Sequence, residues 1–166
     1  MYISMCRNLD DSFPSGLWPP NLTTLKIGGL KKPISEWGAQ KFPTSLVTLY
    51  LRGGENSYLH GNESSRVGSF AKGQDIGNAT SSSLTKLYIS DFMELESLAE
   101  GLQHLTCLKE LVITVCPKLR DLPETLLPSL SSLRVIDSSL KLRKKCRSRN
   151  GKYWPIISQI PDLEID

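Results

Sequence analysis

Residues able to carry covalent or acid–base chemistry are few in this chain and poorly grouped for it. There are two histidines, His60 and His104, and four widely separated cysteines, Cys6, Cys107, Cys116 and Cys146. No HExxH, CxxC or Cys/His spacing occurs, so neither a zinc site nor an activated nucleophile is indicated. Asp121 and Glu124 are carboxylates with no partner apparent from the sequence and receive no acid–base role. The reading is therefore of a non-enzyme that needs no cofactor and no metal, with thiols reduced in a reducing compartment. The remaining side-chain chemistry is that of binding. Tyr50, Arg52, Lys86 and Tyr88 combine the two residue types that most often anchor interfaces, Tyr and Arg, with a nearby lysine.

What could position them is a repeat. The pattern apolar-x-x-apolar-x-apolar recurs at Leu22/Leu25/Ile27, Leu46/Leu49/Leu51, Leu84/Leu87/Ile89, Leu108/Leu111/Ile113, Leu130/Leu133/Val135 and Ile160/Leu163/Ile165. Successive copies start 24, 38, 24, 22 and 30 residues apart, and the three short spacings fall within the roughly 20–29 residues of leucine-rich repeats. The second and third apolar positions are two apart and so share one face of a strand, pointing inward; the first sits on the bend into it. Residues alternating with the buried pair must face solvent on the concave side of a curved parallel sheet. The candidate partner-binding residues are accordingly Lys26, Tyr50, Arg52, Lys86, Tyr88, Glu110, Val112, Thr114 and Arg134. Alternatively they are ordinary strand-face residues, since tyrosine favours strands in any case.

The fold class expected is an α/β repeat, a leucine-rich-repeat solenoid whose convex connections are mostly irregular, 3-10 or short helical. The prolines of "FPSGLWPPN" and "DLPETLLPSLSS" disfavour long convex helices, and "ESLAEGLQHLTC" (96–107) is the best helical candidate. One domain spans 1–166, with an incomplete first repeat at 1–21, a Gly/Ser/Asn-rich loop insertion at 53–83, a basic loop at 141–152 and a C-terminal strand at 160–165. The opening "ISMCRNLDDSFP" parallels "ITVCPKLRDLP", placing Ile3, Cys6, Leu9 and Phe13 at the positions of Ile113, Cys116, Leu119 and Leu122. The chain is thus expected to begin inside a repeat, as a fragment or truncated product would. Cys116 aligns with Phe92, which predicts a volume-filling role for its thiol.

The formal net charge is +3, too small to indicate nucleic-acid binding. Seven of the 20 cations lie within "KLRKKCRSRNGK" at 141–152, which has no acid, so the rest of the chain carries −4, that is +3 less seven. That run reads first as a solvated loop; the alternatives are a nuclear localisation signal, an anionic-lipid contact or an RNA contact. Tyr153 and Trp154 are expected to cover the last apolar edge. No signal peptide or run of about 18 apolar residues is present, so no membrane span is expected, and the sequons at Asn21, Asn62 and Asn78 are read as chance matches.

The phrase "L-x-x-L-x-I-x-x-C-P-x-L-x-x-L-P" and the tail "GKYWPIISQIPDLEID" resemble the C-terminal leucine-rich-repeat region of plant coiled-coil nucleotide-binding disease resistance proteins, over essentially the whole chain. The resemblance implies a protein-interaction module of an intracellular immune receptor, cytoplasmic or nuclear. Its partners would be a pathogen effector, a guarded host protein or a nucleotide-binding domain, with no small-molecule substrate. The alternatives are an autoinhibitory clamp on such a domain and a fragment without independent function. The GxxxxGK[ST] loop, the Met-His-Asp triplet and the N-terminal coiled coil of that family are missing, so its nucleotide chemistry is not carried over.

Overall fold

The protein, in a computed structural model, is described over residues 1–4, 18–28, 43–53, 83–93, 95–98, 102, 105–147 and 149–166. Cys6, Leu9, Phe13, His60, His104 and nearly all of the 53–83 insertion lie outside these residues, as does most of the incomplete first repeat.

Each apolar triplet builds one strand and the bend before it. The strands are β1 (Tyr2–Ser4), β2 (Thr24–Gly28), β3 (Thr48–Arg52), β4 (Lys86–Ser90), β5 (Glu110–Cys116), β6 (Ser132–Ser138) and β7 (Asp162–Ile165). They form one seven-stranded sheet in sequential order, every pair parallel. The apolar triplets fall in register, with Leu25, Leu49, Leu87, Leu111, Leu133 and Leu163 in one row and Ile27, Leu51, Ile89, Ile113, Val135 and Ile165 in the next. These side chains are buried up to β6 and partly buried on β7. At roughly 1.5–3 kcal/mol for each large apolar side chain removed from water, the stacked rows are the main source of stability.

The bends repeat as faithfully as the strands. The first apolar residue donates its N–H to the carbonyl three residues back, as in Leu22 to Pro19, Leu46 to Pro43, Leu108 to Leu105, Leu130 to Leu127 and Ile160 to Ile157. A serine one place earlier ties successive bends together. Ser45 Oγ donates to the Leu22 carbonyl at 3.0 Å, Ser83 Oγ to that of Leu46 at 2.8 Å and Ser129 Oγ to that of Leu108 at 3.3 Å. Asn21, Cys107 and Gln159 occupy this position in the other three copies.

Past the outward residue that ends the shared register, the backbone turns left-handed, with φ of 60° at Asp91, 52° at Val115 and 52° at Asp137. A residue in this conformation adds one to the strand's alternation, so the next inward positions come three after Ile89, Ile113 and Val135: Phe92, Cys116 and Ser138. Asp tolerates positive φ, whereas β-branched Val115 is strained. Gly53, the equivalent residue on β3, lies so close to the neighbouring rung that a Cβ would collide with the Asp91 carbonyl oxygen.

One expectation for the connections is corrected. The basic segment expected as a loop at 141–152 is helical over α1 (Leu140–Arg147). Leu142 and Cys146, one turn apart, bury against the end of the sheet, and Ser139 Oγ caps the helix by accepting the Leu142 N–H at 3.1 Å. Of the helical candidate 96–107 only 96–98, 102 and 105–107 are among the described residues, and the rest of it lies outside them. Within them Ser97 makes a parallel bridge with Asp121, and Leu98, Leu102 and Leu105 are all buried. Among the described residues, helices are otherwise limited to a 3-10 turn at Leu127–Ser129 and to α2 (Trp154–Ile157). The last strand begins at Asp162, two residues later than expected, because Ile160 belongs to the bend.

Candidate partner-binding face

All nine predicted site residues lie on the seven-stranded sheet, and the register sorts them into three rows across it. Lys26, Tyr50, Tyr88, Val112 and Arg134 form the central row, which continues to Tyr2 on β1 and Glu164 on β7. Lys86 and Glu110 are neighbours in the second row, and Arg52 and Thr114 lie in the third with Ser90 between them.

The centre of the face is a tyrosine stack. The Tyr50 and Tyr88 rings lie 4.3 Å apart between centroids and are inclined by 10°, a spacing close to the ~4.8 Å between neighbouring strands. Lys26 Nζ sits 4.5 Å from the Tyr50 centroid, a cation–π contact from the strand on the other side. The Tyr88 hydroxyl donates to Glu110 Oε1 at 2.6 Å, and Lys86 Nζ lies 3.1 Å from Glu110 Oε2. Partial burial, then the bond to Glu110 and its charge, raises the Tyr88 pKa above the ordinary phenol value. The Tyr88 hydroxyl bond holds the Glu110 carboxyl below its ordinary range, with Lys86 adding to the effect.

The outer parts of the face are ion pairs. Arg52 Nε lies 2.8 Å from Asp91 Oδ2. Arg134 lies 3.2 Å from Asp162 and 3.6 Å from Glu164, and Ser132 Oγ donates to Asp162 at 2.7 Å. Asp91, Asp162 and Glu164 were missed by the sequence reading. For the two on β7 a signal existed, because they flank the inward Leu163; Asp91 carries none, since it follows the strand and owes its position to the left-handed turn.

A second polar cluster lies where α1 and α2 meet the chain after β5. Tyr153 is fully buried. Its hydroxyl accepts the Leu122 N–H at 3.1 Å and donates to Asp121 Oδ1 at 2.9 Å. Lys145 Nζ donates to the same oxygen at 2.6 Å and to the Arg120 carbonyl at 2.9 Å. Lys152 pairs with Glu124 at 2.5 Å. Asp121 and Glu124, for which the sequence suggested no partner, are thus each held by a lysine of the basic run. Burial and then the carboxylate raise the Tyr153 pKa; the Lys145 bond, followed by the tyrosine bond, lowers that of Asp121. Arg147 donates to the Ile165 carbonyl at 3.1 and 2.6 Å, so the basic helix fastens the last strand.

The thiols follow from burial. Cys116 and Cys146 are buried and their pKa values are pushed up to about 11 by desolvation, which leaves both as thiols near neutral pH. Among the described residues no group of three or more His, Cys, Asp or Glu could hold a metal ion, and no helix is long and apolar enough to cross a membrane. No family model, curated protein or solved structure matches the chain.

Proposed function

We propose that the chain is a leucine-rich-repeat solenoid acting as a non-catalytic protein-interaction module of a plant intracellular immune receptor, where it contributes to recognition of a pathogen effector and to the defence response. The observation that carries this reading is the Tyr50–Tyr88 stack at the middle of an in-register parallel sheet. Its two rings are partly exposed on a face otherwise edged by ion pairs, the arrangement of an aromatic anchor inside a polar rim. The repeat phrasing and the tail supply the plant receptor context by resemblance.

The test is site-specific photo-crosslinking in extracts of pathogen-challenged plant tissue. A benzophenone amino acid replaces Ser90 on the sheet face in one protein and Ser158 near the end of α2 in another. The expected result is a covalent adduct with a protein from position 90 alone, lost when Tyr50 and Tyr88 are both changed to alanine. Equal adducts from the two positions, or adducts that survive the tyrosine changes, would contradict the reading. An adduct with a nucleotide-binding domain instead of a foreign protein would select the autoinhibitory role.

A further inference from the structure

The charges of the sheet face are not evenly matched. Arg52 with Asp91 and Lys86 with Glu110 are balanced pairs. On β2, Lys26 has no carboxylate partner among the described residues and rests its ammonium on the Tyr50 ring. At the opposite edge one cation, Arg134, faces two acids, Asp162 and Glu164, both exposed. The face therefore carries an unmatched positive charge over β2–β3 and an unmatched negative charge over β6–β7.

The tyrosine geometry strengthens this polarity. Lys26 occupies one face of the Tyr50 ring and Tyr88 the other, so the rings stand on edge and turn their rims to solvent. Ring rims carry the positive end of the aromatic quadrupole. A partner group arriving over β2–β3 thus meets the ammonium and the ring-edge hydrogens together, and both favour a carboxylate. Beyond Tyr88 the row passes to half-buried Val112, which offers apolar contact, and then to the acids of β7.

We propose, building on the reading of this face as the interaction surface, that its partner is an extended protein segment lying across the strands. That segment places an acidic side chain over Lys26 and the tyrosine rims, an apolar or aromatic one over Tyr88 and Val112, and a basic one against Asp162 and Glu164. The five strand intervals from β2 to β7 span about 24 Å, which an extended chain covers in about seven residues.

The test is selection of random twelve-residue peptides displayed on phage, on the immobilised full chain, with counter-selection on the chain bearing Tyr50→Ala and Tyr88→Ala. Enriched peptides are expected to carry an acid and a base separated by about five to seven residues, with an apolar or aromatic residue between. Lys26 and Glu164 are exposed, so Lys26→Glu and Glu164→Lys leave the core intact. Each is expected to weaken a selected peptide about ten-fold at low salt, with less effect at high salt. Enriched peptides without that charge order, or indifferent to both substitutions, would overturn the proposed polarity while leaving the face as the binding surface. Failure of any peptide to distinguish the parent chain from the tyrosine-free one would overturn the face itself.

Discussion

The same three groups, a tyrosine, a carboxylate and a lysine, are assembled twice in this molecule, with different consequences. On the sheet face, Tyr88 donates to Glu110 and Lys86 pairs with the same carboxylate. At the C-terminal helices, Tyr153 donates to Asp121 and Lys145 pairs with it. The bonds are alike in length and direction, and both carboxylates are held below their ordinary range. What differs is the ring. Tyr153 is fully buried among leucines and also accepts a backbone N–H, whereas Tyr88 keeps a ring edge in solvent. A polar triad bound to a buried ring fastens chain to chain, while one bound to a half-exposed ring orients a side chain and leaves it available.

Substitutions that strip the two rings separate these roles most strongly. Tyr153→Ala empties a core position and leaves the Leu122 N–H without its partner; it should cost about 3–5 kcal/mol in denaturant unfolding. Tyr88→Ala removes a stacked, half-exposed ring and should cost about 1 kcal/mol. Equal losses would erase the distinction.

How much of this was legible in the sequence follows the same division. The sheet face could be read because strand alternation needs only spacing: once Leu87 and Ile89 are inward, Tyr88 must be outward, and with the 53–83 insertion looped out the matching triplet position puts it beside Tyr50. The region of the C-terminal helices could not be read that way. Asp121, Lys145 and Tyr153 meet only because α1 folds back, and the basic composition of 141–152 concealed the Leu142/Cys146 face that makes it a helix. Ser139 before that run was an available capping signal. The serine at 45, 83 and 129 was also visible, one place before three of the six triplets, but only hydrogen bonds between bends give that regularity a meaning.

Acid should weaken both triads. Because Asp121 and Glu110 have folded-state pKa values below their unfolded ones, the unfolded chain binds more protons once pH drops below about 4. The stability they contribute is present above that range and is lost as pH falls through the folded values. Asp121→Asn and Glu110→Gln should each flatten the acid limb of a stability–pH curve, and together flatten it further. An unchanged limb in both would show that neither carboxylate is held as described.

Two smaller changes probe the repeat itself. Val115, strained at φ 52°, should be improved by Asn, which accepts that conformation; Val115→Asn is expected to raise unfolding free energy by about 1 kcal/mol, and a loss would mean that its side chain matters more than its backbone. Cys107→Ser should extend the serine series by donating to the Leu84 carbonyl, worth about 0.5–1 kcal/mol. A thermal midpoint unchanged or lowered would show that the series does not extend to that bend.

The central claim is that the partly exposed tyrosines of the sheet face serve binding and the buried one serves folding. It is tested most directly by one paired measurement on the Tyr50→Ala/Tyr88→Ala protein, reading its denaturant unfolding alongside adduct formation from the crosslinker at position 90. The account predicts a cooperative transition with only a modest loss of stability, about 1–3 kcal/mol for two half-exposed rings, and no adduct. A cooperatively folded variant that still forms the adduct at full yield would contradict it.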